Sequence, residues 1–311
     1  PISEENQVPY ASKNKGVMHA CGHDAHMAIL LGIAEVLHEN KNQIEGIVKL
    51  IFQPSEEVLP GGAVQMINEG VLENPKVNYM LALHVLPEMN VGKVGFRKGI
   101  YMASSDELHL SVKGKGGHAA FPNLVNNPLL CAAKMITSIH QDAKELMPNT
   151  VPFVLQFGRF IAEGRTNIIP EEAKVEGTFR TFDEKCRNEV HELIYKTVQK
   201  YSEKFGTTSE MNIVKGYQVV HNDEQLTKQI QNNAILHLGS QFVKDLPLRM
   251  TSDDFAAYSH IVPSCYFRIG VKTNNSNLVR NLHTPIFDID ETALITGVQT
   301  MLIAITTCLS N

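Results

Sequence analysis

Short apolar runs alternate with segments of helical periodicity in the first hundred residues, and this alternation restricts the fold more than any other feature. Apolar side chains recur at spacings of three and four over residues 25–38 and again over 63–69, which predicts two helices. The apolar runs at residues 47–52 and 79–84 predict strands. Strands that alternate with helices are typical of a mainly parallel α/β sheet.

The pattern changes after about residue 104 and returns to α/β character from about residue 223. The intervening segment predicts four strands and two helices, in the order strand 108–112, helix 127–146, strands 153–160 and 173–182, helix 184–205 and strand 210–214. This β-α-β-β-α-β order is typical of a ferredoxin-like α+β unit. We therefore predict an α/β domain made of residues 1–103 and 219–311, interrupted by an inserted domain of residues 104–218.

Charge and hydropathy argue against two kinds of partner. Of the 311 residues, 28 are Lys or Arg and 33 are Asp or Glu, so the formal net charge is −5. A dedicated nucleic-acid binder usually carries a basic face instead. The apolar stretches are far shorter than the roughly 20 residues that a helix needs to cross a bilayer. We expect neither a nucleic-acid partner nor a membrane partner.

The cysteines bear on the cellular compartment of the protein, and the first residue bears on the extent of the chain. Five cysteines lie far apart without a CxxC pair, so the sequence predicts no disulfide framework and favours a reducing, cytoplasmic compartment. The chain opens at Pro1 without an initiator Met. We expect from this start that a segment has been lost upstream.

Residues 18–26, with the sequence MHACGHDAH, hold the densest group of metal-binding residue types. Cys21 and His23 are two residues apart, and Gly22 between them lets the backbone bend so that both can face one ion. Thiolate and imidazole both suit zinc-like metals. A loop with a buried cysteine and solvated histidines explains this stretch equally well when it is considered alone.

Two further groups stand at the ends of predicted strands. Glu56 and Glu57 follow the run at 47–52, and His84 ends the run at 79–84. Ligands gather at the carboxyl ends of strands in open α/β sheets. Because adjacent carboxylates point in different directions, one can bind a metal while the other handles a proton. When each group is considered alone, the simpler interpretation of Glu56 and Glu57 is a solvated acidic turn, and that of His84 is a structural histidine.

The remaining candidates carry weaker local signals. His118 follows two glycines, which either present a lone imidazole on a turn or form a plain flexible loop. Asn167 and Arg180 add polar groups in the same segment, and the planar guanidinium suits a substrate carboxylate as well as an ordinary surface position. His283 lies in a loop before the last predicted helix, with nothing local to mark it. No phosphate-loop pattern occurs.

Seven motifs, taken in order, resemble those of a known family. They are MHACGHDAH at 18–26, QPSEE at 53–57, LHV at 83–85, GGHA at 116–119, NIIP at 167–170, GTFRTF at 177–182 and LHTP at 282–285. Together they resemble the dinuclear-metal peptidase family of aminoacylases and glutamate carboxypeptidases. Within it they resemble the amidohydrolase branch of N-acyl-amino-acid amidohydrolases, hippurate hydrolases and auxin-conjugate hydrolases. The resemblance covers essentially the whole chain.

The resemblance implies an architecture and a cofactor. The fold would be a zinc-peptidase-like α/β catalytic domain interrupted by a smaller ferredoxin-like domain that serves as lid and forms a homodimer. The cofactor would be two divalent metal ions, with Zn, Mn, Co and Ni all open. The implied ligands are Cys21, His23, Glu57, His84 and His283.

The resemblance also implies roles in the reaction. Glu56 would be the general base and then the acid, and His118 would bind substrate or steady the oxyanion. Asn167 and Arg180 match positions that would contact the substrate. The implied reaction is hydrolysis of the amide bond of an N-acyl amino acid, or of a similar small peptide-like conjugate, by metal-activated water.

Two alternatives to this function stay open. A dipeptidase or aminoacylase of the same family is ranked lower, because the sequence offers no clear acidic anchor for a free amine. A non-catalytic binding homologue is the third hypothesis. The complete set of implied ligands and base weighs against it, and the short N-terminus keeps it open.

Two departures from the family pattern concern the support of the site. An Asp-Met-Asp-Ala-Leu segment that precedes the proline matching Pro1 in the family is absent, together with the N-terminal helix and strands before it. Loss of such support can weaken metal affinity or activity about 10–100-fold. The second departure is Asp253, where the family commonly has glutamate, so the role of this shorter side chain is in question.

Overall fold

A computed structural model describes residues 1–274 and 278–310. Its helices are α1 (His23–Glu39), α2 (Gly62–Asn68), α3 (Pro128–Leu146), α4 (Glu184–Phe205), α5 (Glu224–Leu238), α6 (Ala256–Ser259) and α7 (Ala293–Leu309), with 3-10 turns at Lys41–Gln43 and Pro122–Leu124. Its strands are β1 (Met80–Asn90), β2 (Val94–Phe96), β3 (Gly99–Met102), β4 (Asp106–Lys113), β5 (Gly117–His118), β6 (Phe153–Ile161), β7 (Ile168–Ile169), β8 (Glu172–Thr181), β9 (Thr208–Lys215), β10 (Val220–Asn222), β11 (Val243–Asp245) and β12 (Ser264–Lys272).

A four-stranded sheet in the order β1-β12-β2-β11 forms the centre of the α/β part. β1 pairs with β12 in parallel, and β2 pairs with β11 in parallel and with β12 in antiparallel fashion. Helices α1, α5 and α7 pack on one face of this sheet. The other face is covered by α2, α6 and the strand pair β3–β10. The predicted α/β architecture with a mainly parallel sheet is confirmed, since two of the three strand pairs in this sheet are parallel.

Helix α1 shows why the sequence is helical at this point. Ala25, Ile29 and Ile33 recur every four residues and are all buried, so one face of the helix packs against the sheet and α7. The helix begins two residues earlier and ends one residue later than the spacing of apolar residues predicts. In the described residues, no helix has the length and apolar character that a bilayer crossing requires.

The inserted part has its own antiparallel sheet and its own core. The strand order β9-β4-β8-β6, with α3 and α4 packed together on one face, is the ferredoxin-like arrangement that the β-α-β-β-α-β order predicts. Helix α4 begins after Asp183, whose side chain accepts a hydrogen bond from the Cys186 N–H at 2.8 Å. The domain limits at 104 and 218 stay a prediction, and residues 275–277 and 311 of the second catalytic segment lie outside the described residues.

The strand predicted at residues 47–52 is wrong as stated. The segment is not paired with any strand in the described part of the chain, although it follows a path between α1 and the loop after α2. A strand exists only with a hydrogen-bonded neighbour, and the edge of β1 that does not bind β12 carries none. The composition of the run favours a strand, but composition does not report whether a neighbouring strand is present to pair with it.

Candidate metal centre

Four chain segments meet around His84 of β1. They are the start of α1 and the turn before it, with His23 and Cys21, the loop after residue 52 with Glu56 and Glu57, β1 itself, and the loop before α7 with His283. Ligand atoms of three groups lie within 4.8 Å of one another: Cys21 with His23 and His84, Cys21 with Glu57 and His283, and His23 with Glu56 and Glu57. The structure therefore brings together all six residues that the resemblance connects with metal and proton chemistry.

Gly22 allows the first pair to face the site. Its φ of 83° lies in the left-handed region, and a Cβ there would stand 2.6 Å from Val85 Cγ2. The turn consequently packs tightly against β1 and brings Cys21 Sγ to 3.4 Å from His84 Nε2.

The turns that present the carboxylates and the last histidine also use left-handed backbone. Ser55, directly before Glu56, has φ 60°, and His283 has φ 59°. Such a conformation at a non-glycine residue costs about 1–3 kcal/mol and clusters at functional sites. The His283 N–H donates to the Ala20 carbonyl at 2.8 Å, and its Nε2 lies 3.1 Å from Glu57 Oε1. These contacts join the loop before α7 to the turn that holds Cys21 and to the loop that holds Glu57.

Backbone hydrogen bonds orient two neutral imidazoles. His84 Nδ1 lies 2.8 Å from the Val85 carbonyl, which can only accept, so Nδ1 carries the proton and Nε2 faces the site with a free lone pair. His26 Nε2 accepts from the Val85 N–H at 3.1 Å. Burial lowers the pKa of both histidines, and the nearby Arg268 guanidinium acts in the same direction. Both are therefore uncharged near neutral pH.

A group of buried carboxylates surrounds Glu56. Oxygen atoms of Glu56, Asp253 and Asp254 lie within 4.8 Å of one another. Burial raises the pKa of Glu56, and the negative charges of Asp253 and Glu57 raise it further. Without a cation nearby, Glu56 therefore holds its proton far above the usual range of a carboxylic acid.

The two aspartates are fixed by donors from the protein. Asp253 accepts from the Tyr266 hydroxyl at 2.6 Å and from the Phe255 N–H at 2.9 Å. Asp254 accepts from Gln53 Nε2 at 2.7 Å and from the Ala63 N–H at 2.9 Å. The shorter Asp253 thus has two hydrogen-bond donors from the protein beside the site, and its role there stays open.

Sequence reasoning missed three residues that surround the centre. His26 contacts His84, with ring centroids 4.5 Å apart; its position three residues after His23 on α1 was the available signal. The Tyr217 hydroxyl donates to the Glu56 carbonyl, and Arg268 is buried between the rings of Tyr101 and Tyr266. No local pattern marked Tyr217 or Arg268, because long-range folding alone brings them here.

The three candidates in the inserted part lie elsewhere. His118 and Asn167 are exposed side by side, because β5 pairs with β7 and the Ala119 N–H donates to the Asn167 carbonyl. Arg180 is half-buried and donates to the Met250 carbonyl at 3.0 Å. Within the described residues, no hydrogen bond or ion pair connects these three with the metal-binding group. Their roles in substrate binding stay a prediction.

Comparison with known proteins assigns the family. The sequence profile of peptidase family M20/M25/M40 matches residues 1–307, nearly the whole chain. The chain belongs to this family. The family predicted from the ordered motifs is confirmed, and a metal-dependent amidohydrolase is the kind of enzyme that its relatives represent.

Individual relatives agree with this M20 assignment. The chain is 34% identical over 295 residues to N-acetyl-L-cysteine deacetylase of Bacillus subtilis, covering 95% of this chain and 68% of that protein. A solved structure from methicillin-resistant Staphylococcus aureus superposes with a TM-score of 0.90 at 31% identity, covering 100% of this chain and 79% of that one. The Bacillus subtilis protein YXEP, described as a dinuclear metal binding peptidase, gives a TM-score of 0.80 at 28% identity, with 100% and 78% covered.

Proposed function

We propose that this M20 protein hydrolyses the amide bond of an N-acyl amino acid or a similar small conjugate. The observation that carries the proposal is the convergence of Cys21, His23, Glu57, His84 and His283 in overlapping groups of ligand atoms, with the carboxyl group of Glu56 beside His23 and Glu57. Relatives named as N-acetyl-L-cysteine deacetylase and N-acyl-L-amino acid amidohydrolase support this class of substrate.

The donor set fits two divalent cations. Thiolate, imidazole and carboxylate ligands together suit Zn, Mn, Co or Ni better than Mg. The three overlapping groups contain more donors than a single four-coordinate ion takes, and Cys21, His23 and Glu57 are each shared between two of them. When bound, the cations supply Lewis-acid activation of water and of the scissile carbonyl.

Glu56 is suited to move the proton. Positive charge placed beside it would lower the raised pKa that burial and Asp253 produce, so its carboxylate becomes available as a base. It accepts a proton from the attacking water and later donates that proton to the leaving nitrogen. The Tyr217 hydroxyl, bound to the Glu56 carbonyl, keeps the backbone at this residue in place.

Substrate recognition and assembly belong to the inserted part in this proposal. His118 would bind the substrate or steady the oxyanion, and Asn167 and Arg180 would contact its polar groups. We infer a homodimer formed through this part, which light scattering at micromolar concentration tests. We also infer a cytoplasmic location, which the five free cysteines support.

The test compares Glu56→Gln with wild type on a panel of N-acetyl amino acids, N-benzoyl amino acids and dipeptides. Loss of the base should reduce kcat about 10²–10⁴-fold. The amount of bound metal, measured by inductively coupled plasma mass spectrometry, should be the same in the variant and the wild type. Glu69→Gln, at an exposed residue after α2, is the matched control and should keep full activity. A metal-loaded wild type that hydrolyses nothing in the panel would overturn the function. Full activity of Glu56→Gln would overturn the assignment of the base.

A further inference from the structure

A cavity of about 440 Å³ lies between the end of β1, the turn that leads to β2, and the segment that runs from β11 to Arg249. None of the six residues of the candidate metal centre lines it. The register of the central sheet leads from His84 across β12 to Gly95 of β2, and from there to Lys244 of β11, which lines the cavity. Three strand spacings of about 4.8 Å separate the backbones of His84 and Lys244 by about 14 Å. The cavity is therefore distinct from the metal centre.

Strand alternation places two lysines on the same side of the sheet. Val94 and Phe96 of β2 and Val243 of β11 belong to the core under α1, α5 and α7. Lys93 directly precedes Val94, and Lys244 directly follows Val243. Because successive side chains of a strand point to opposite faces, both lysines face away from that core. They consequently line the cavity from one face of the sheet.

Much of the remaining lining is apolar. Gly95 of β2 has no side chain, and Leu246 packs on its backbone so closely that an added Cβ would stand 2.5 Å from Leu246 Cδ2. Leu86, Met89 and Pro247 also line the cavity. A hydrocarbon chain that covers these side chains would remove apolar surface from water, which favours binding. The lining therefore suits an organic ligand with an apolar body.

The charged part of the lining is positive overall. Lys93, Lys244 and Arg249 contribute three cations, and Glu88 contributes one carboxylate. The lining thus carries a net charge of +2 in a chain whose formal net charge is −5. Neither ammonium group makes a hydrogen bond or an ion pair with a residue that the structure describes. Both are therefore available to an anion from outside the chain.

Arg249 has more donors than the protein uses. Its guanidinium carries five N–H groups, and among the described residues Glu88 is its one partner, at 3.4 Å from Nη2. Nε is buried without a hydrogen bond in the same part of the chain. The backbone is nevertheless fixed, since the Arg249 N–H donates to the Tyr101 carbonyl and the Ala103 N–H donates to the Arg249 carbonyl, both at 3.0 Å. The arginine is thus held at the cavity wall with its bonding incomplete, and a guanidinium fork suits a carboxylate.

We propose that this cavity binds a small aliphatic dicarboxylate. One carboxylate pairs with the Arg249 guanidinium and the other with the Lys93 and Lys244 ammonium groups, so that a dianion compensates the charge of +2. The hydrocarbon chain between the two carboxylates covers Leu86 and Leu246. The volume of the cavity lies within the range of about 300–1,000 Å³ that is usual for small-molecule sites.

Simpler anions match fewer of these features. Inorganic phosphate compensates the charge but leaves the apolar lining exposed to water, and a monocarboxylate cannot pair with the arginine and the lysines together. The site uses neither metal ions nor Glu56. The proposal is therefore independent of the proposed hydrolysis, and either of them can fail without the other.

Isothermal titration calorimetry of the metal-loaded protein with glutarate, adipate and pimelate tests the proposal. At least one of these dicarboxylates should bind saturably, with one site per chain. Inorganic phosphate, hexanoate and the neutral diamide of the best dicarboxylate should each bind about 10-fold more weakly or worse, because each lacks the apolar body, one charge or both charges. Absence of saturable binding by any of the three dicarboxylates, or equal binding of the diamide, would overturn the proposal.

Four protein variants locate the binding. Arg249→Gln should raise the Kd for the dicarboxylate about 10-fold or more, and Lys244→Gln about 3-fold or more. Lys228→Gln, at an exposed lysine of α5 that does not line the cavity, is the matched control and should leave the Kd unchanged.

The fourth variant, Glu57→Gln, separates the cavity from the metal centre, where a carboxylate could bind a metal ion. It should also leave the Kd unchanged, because the cavity does not include the metal ligands. Loss of binding in Glu57→Gln together with full binding in Arg249→Gln and Lys244→Gln would assign the dicarboxylate to the metal centre and overturn the proposal. Circular dichroism checks that each variant is folded.

Discussion

Gly22 shows how much of the metal centre depends on a residue with no ligand atom. It stands between Cys21 and His23, has left-handed backbone, and approaches Val85 closely enough to exclude a methyl group. The motif alone suggested flexibility at this position. The structure adds the reason for glycine, which is the close contact between the turn and β1.

Gly22→Ala should therefore cost more than backbone strain alone. We expect it to lower the free energy of unfolding by about 2–4 kcal/mol, from left-handed strain of about 1–3 kcal/mol together with the displacement of Val85. Gly16→Ala is the matched control, because Gly16 has φ 77° and no atom stands within 4 Å of the place that its added methyl group would take. Urea denaturation measures both. Equal losses for the two variants would show that the contact with Val85 carries no cost.

The resemblance of the ordered motifs to one family pointed to six of the residues that converge, whereas residue types and spacing alone left each of them open. Each of them lies in a local motif, and the ordered set resembles one family. His26, Tyr217 and Arg268 could not be placed in this way. They belong to the centre because His26 contacts His84, Tyr217 contacts Glu56 and Arg268 contacts Tyr266. Contacts between distant segments form only when the chain folds.

At the scale of elements, amphipathic helices were predicted well and one strand was not. Helix α4 has the same limits as its apolar periodicity predicts, because a helix satisfies its own backbone. The run at 47–52 has the composition of a strand but depends on a neighbour that composition does not report. The pairing of β1 with β12, which lie on either side of the inserted part in sequence, could not be predicted from the sequence either.

A buried ion pair links two elements of the inserted part. Asp106, at the start of β4, binds Arg187 Nε at 2.9 Å and His191 Nε2 at 2.7 Å, both on α4. Burial alone would raise the pKa of Asp106, but the hydrogen bonds from His191 and Arg187 outweigh it, and the pKa is lowered. Arg187 also binds Glu184 at 3.0 Å, so the guanidinium has a second anionic partner.

Asp106→Asn should destabilise the protein by about 3 kcal/mol at pH 7, because it removes the charge opposite a buried guanidinium. The pKa of this group is lower in the folded protein, so its stabilisation is present above the unfolded pKa of about 3.9 and is lost as pH falls below it. The difference between variant and wild type in urea denaturation should shrink below about pH 4. Glu107→Gln, at an exposed neighbour, should change stability by less than about 0.5 kcal/mol. If the difference in the free energy of unfolding between wild type and Asp106→Asn did not change with pH, this explanation would be contradicted.

At the scale of the whole molecule, the candidate metal centre concentrates acidic side chains whose charged forms a bound cation would stabilise. Glu56, Asp253 and Asp254 converge beside the ligands. Burial also raises the pKa of Cys21, so its thiol keeps its proton until a cation displaces it. Metal binding and stability should therefore be linked, and both should weaken as pH falls.

Removal of metal should lower Tm by several degrees, and Zn or Mn should restore it. A ligand at 100 times its Kd stabilises the folded state by about 2.7 kcal/mol. Differential scanning fluorimetry with and without a chelator measures the change. Glu57→Gln should abolish the shift, whereas Glu69→Gln should keep it. An identical Tm for wild type with and without the chelator would contradict the linkage, provided that mass spectrometry confirms that metal was bound and removed.

The two chain crossings between the central sheet and the inserted part lie side by side. The Ser105 N–H donates to the Tyr217 carbonyl at 3.0 Å, and the Gly216 N–H donates to the Ser105 carbonyl at 2.9 Å. The phenol of Tyr217, at this same junction, holds the carbonyl of Glu56. A single side chain therefore connects the place where the chain enters and leaves the inserted part to the backbone of Glu56. The position of this carboxyl group in the catalytic part is thus fixed in part by a residue that lies outside that part.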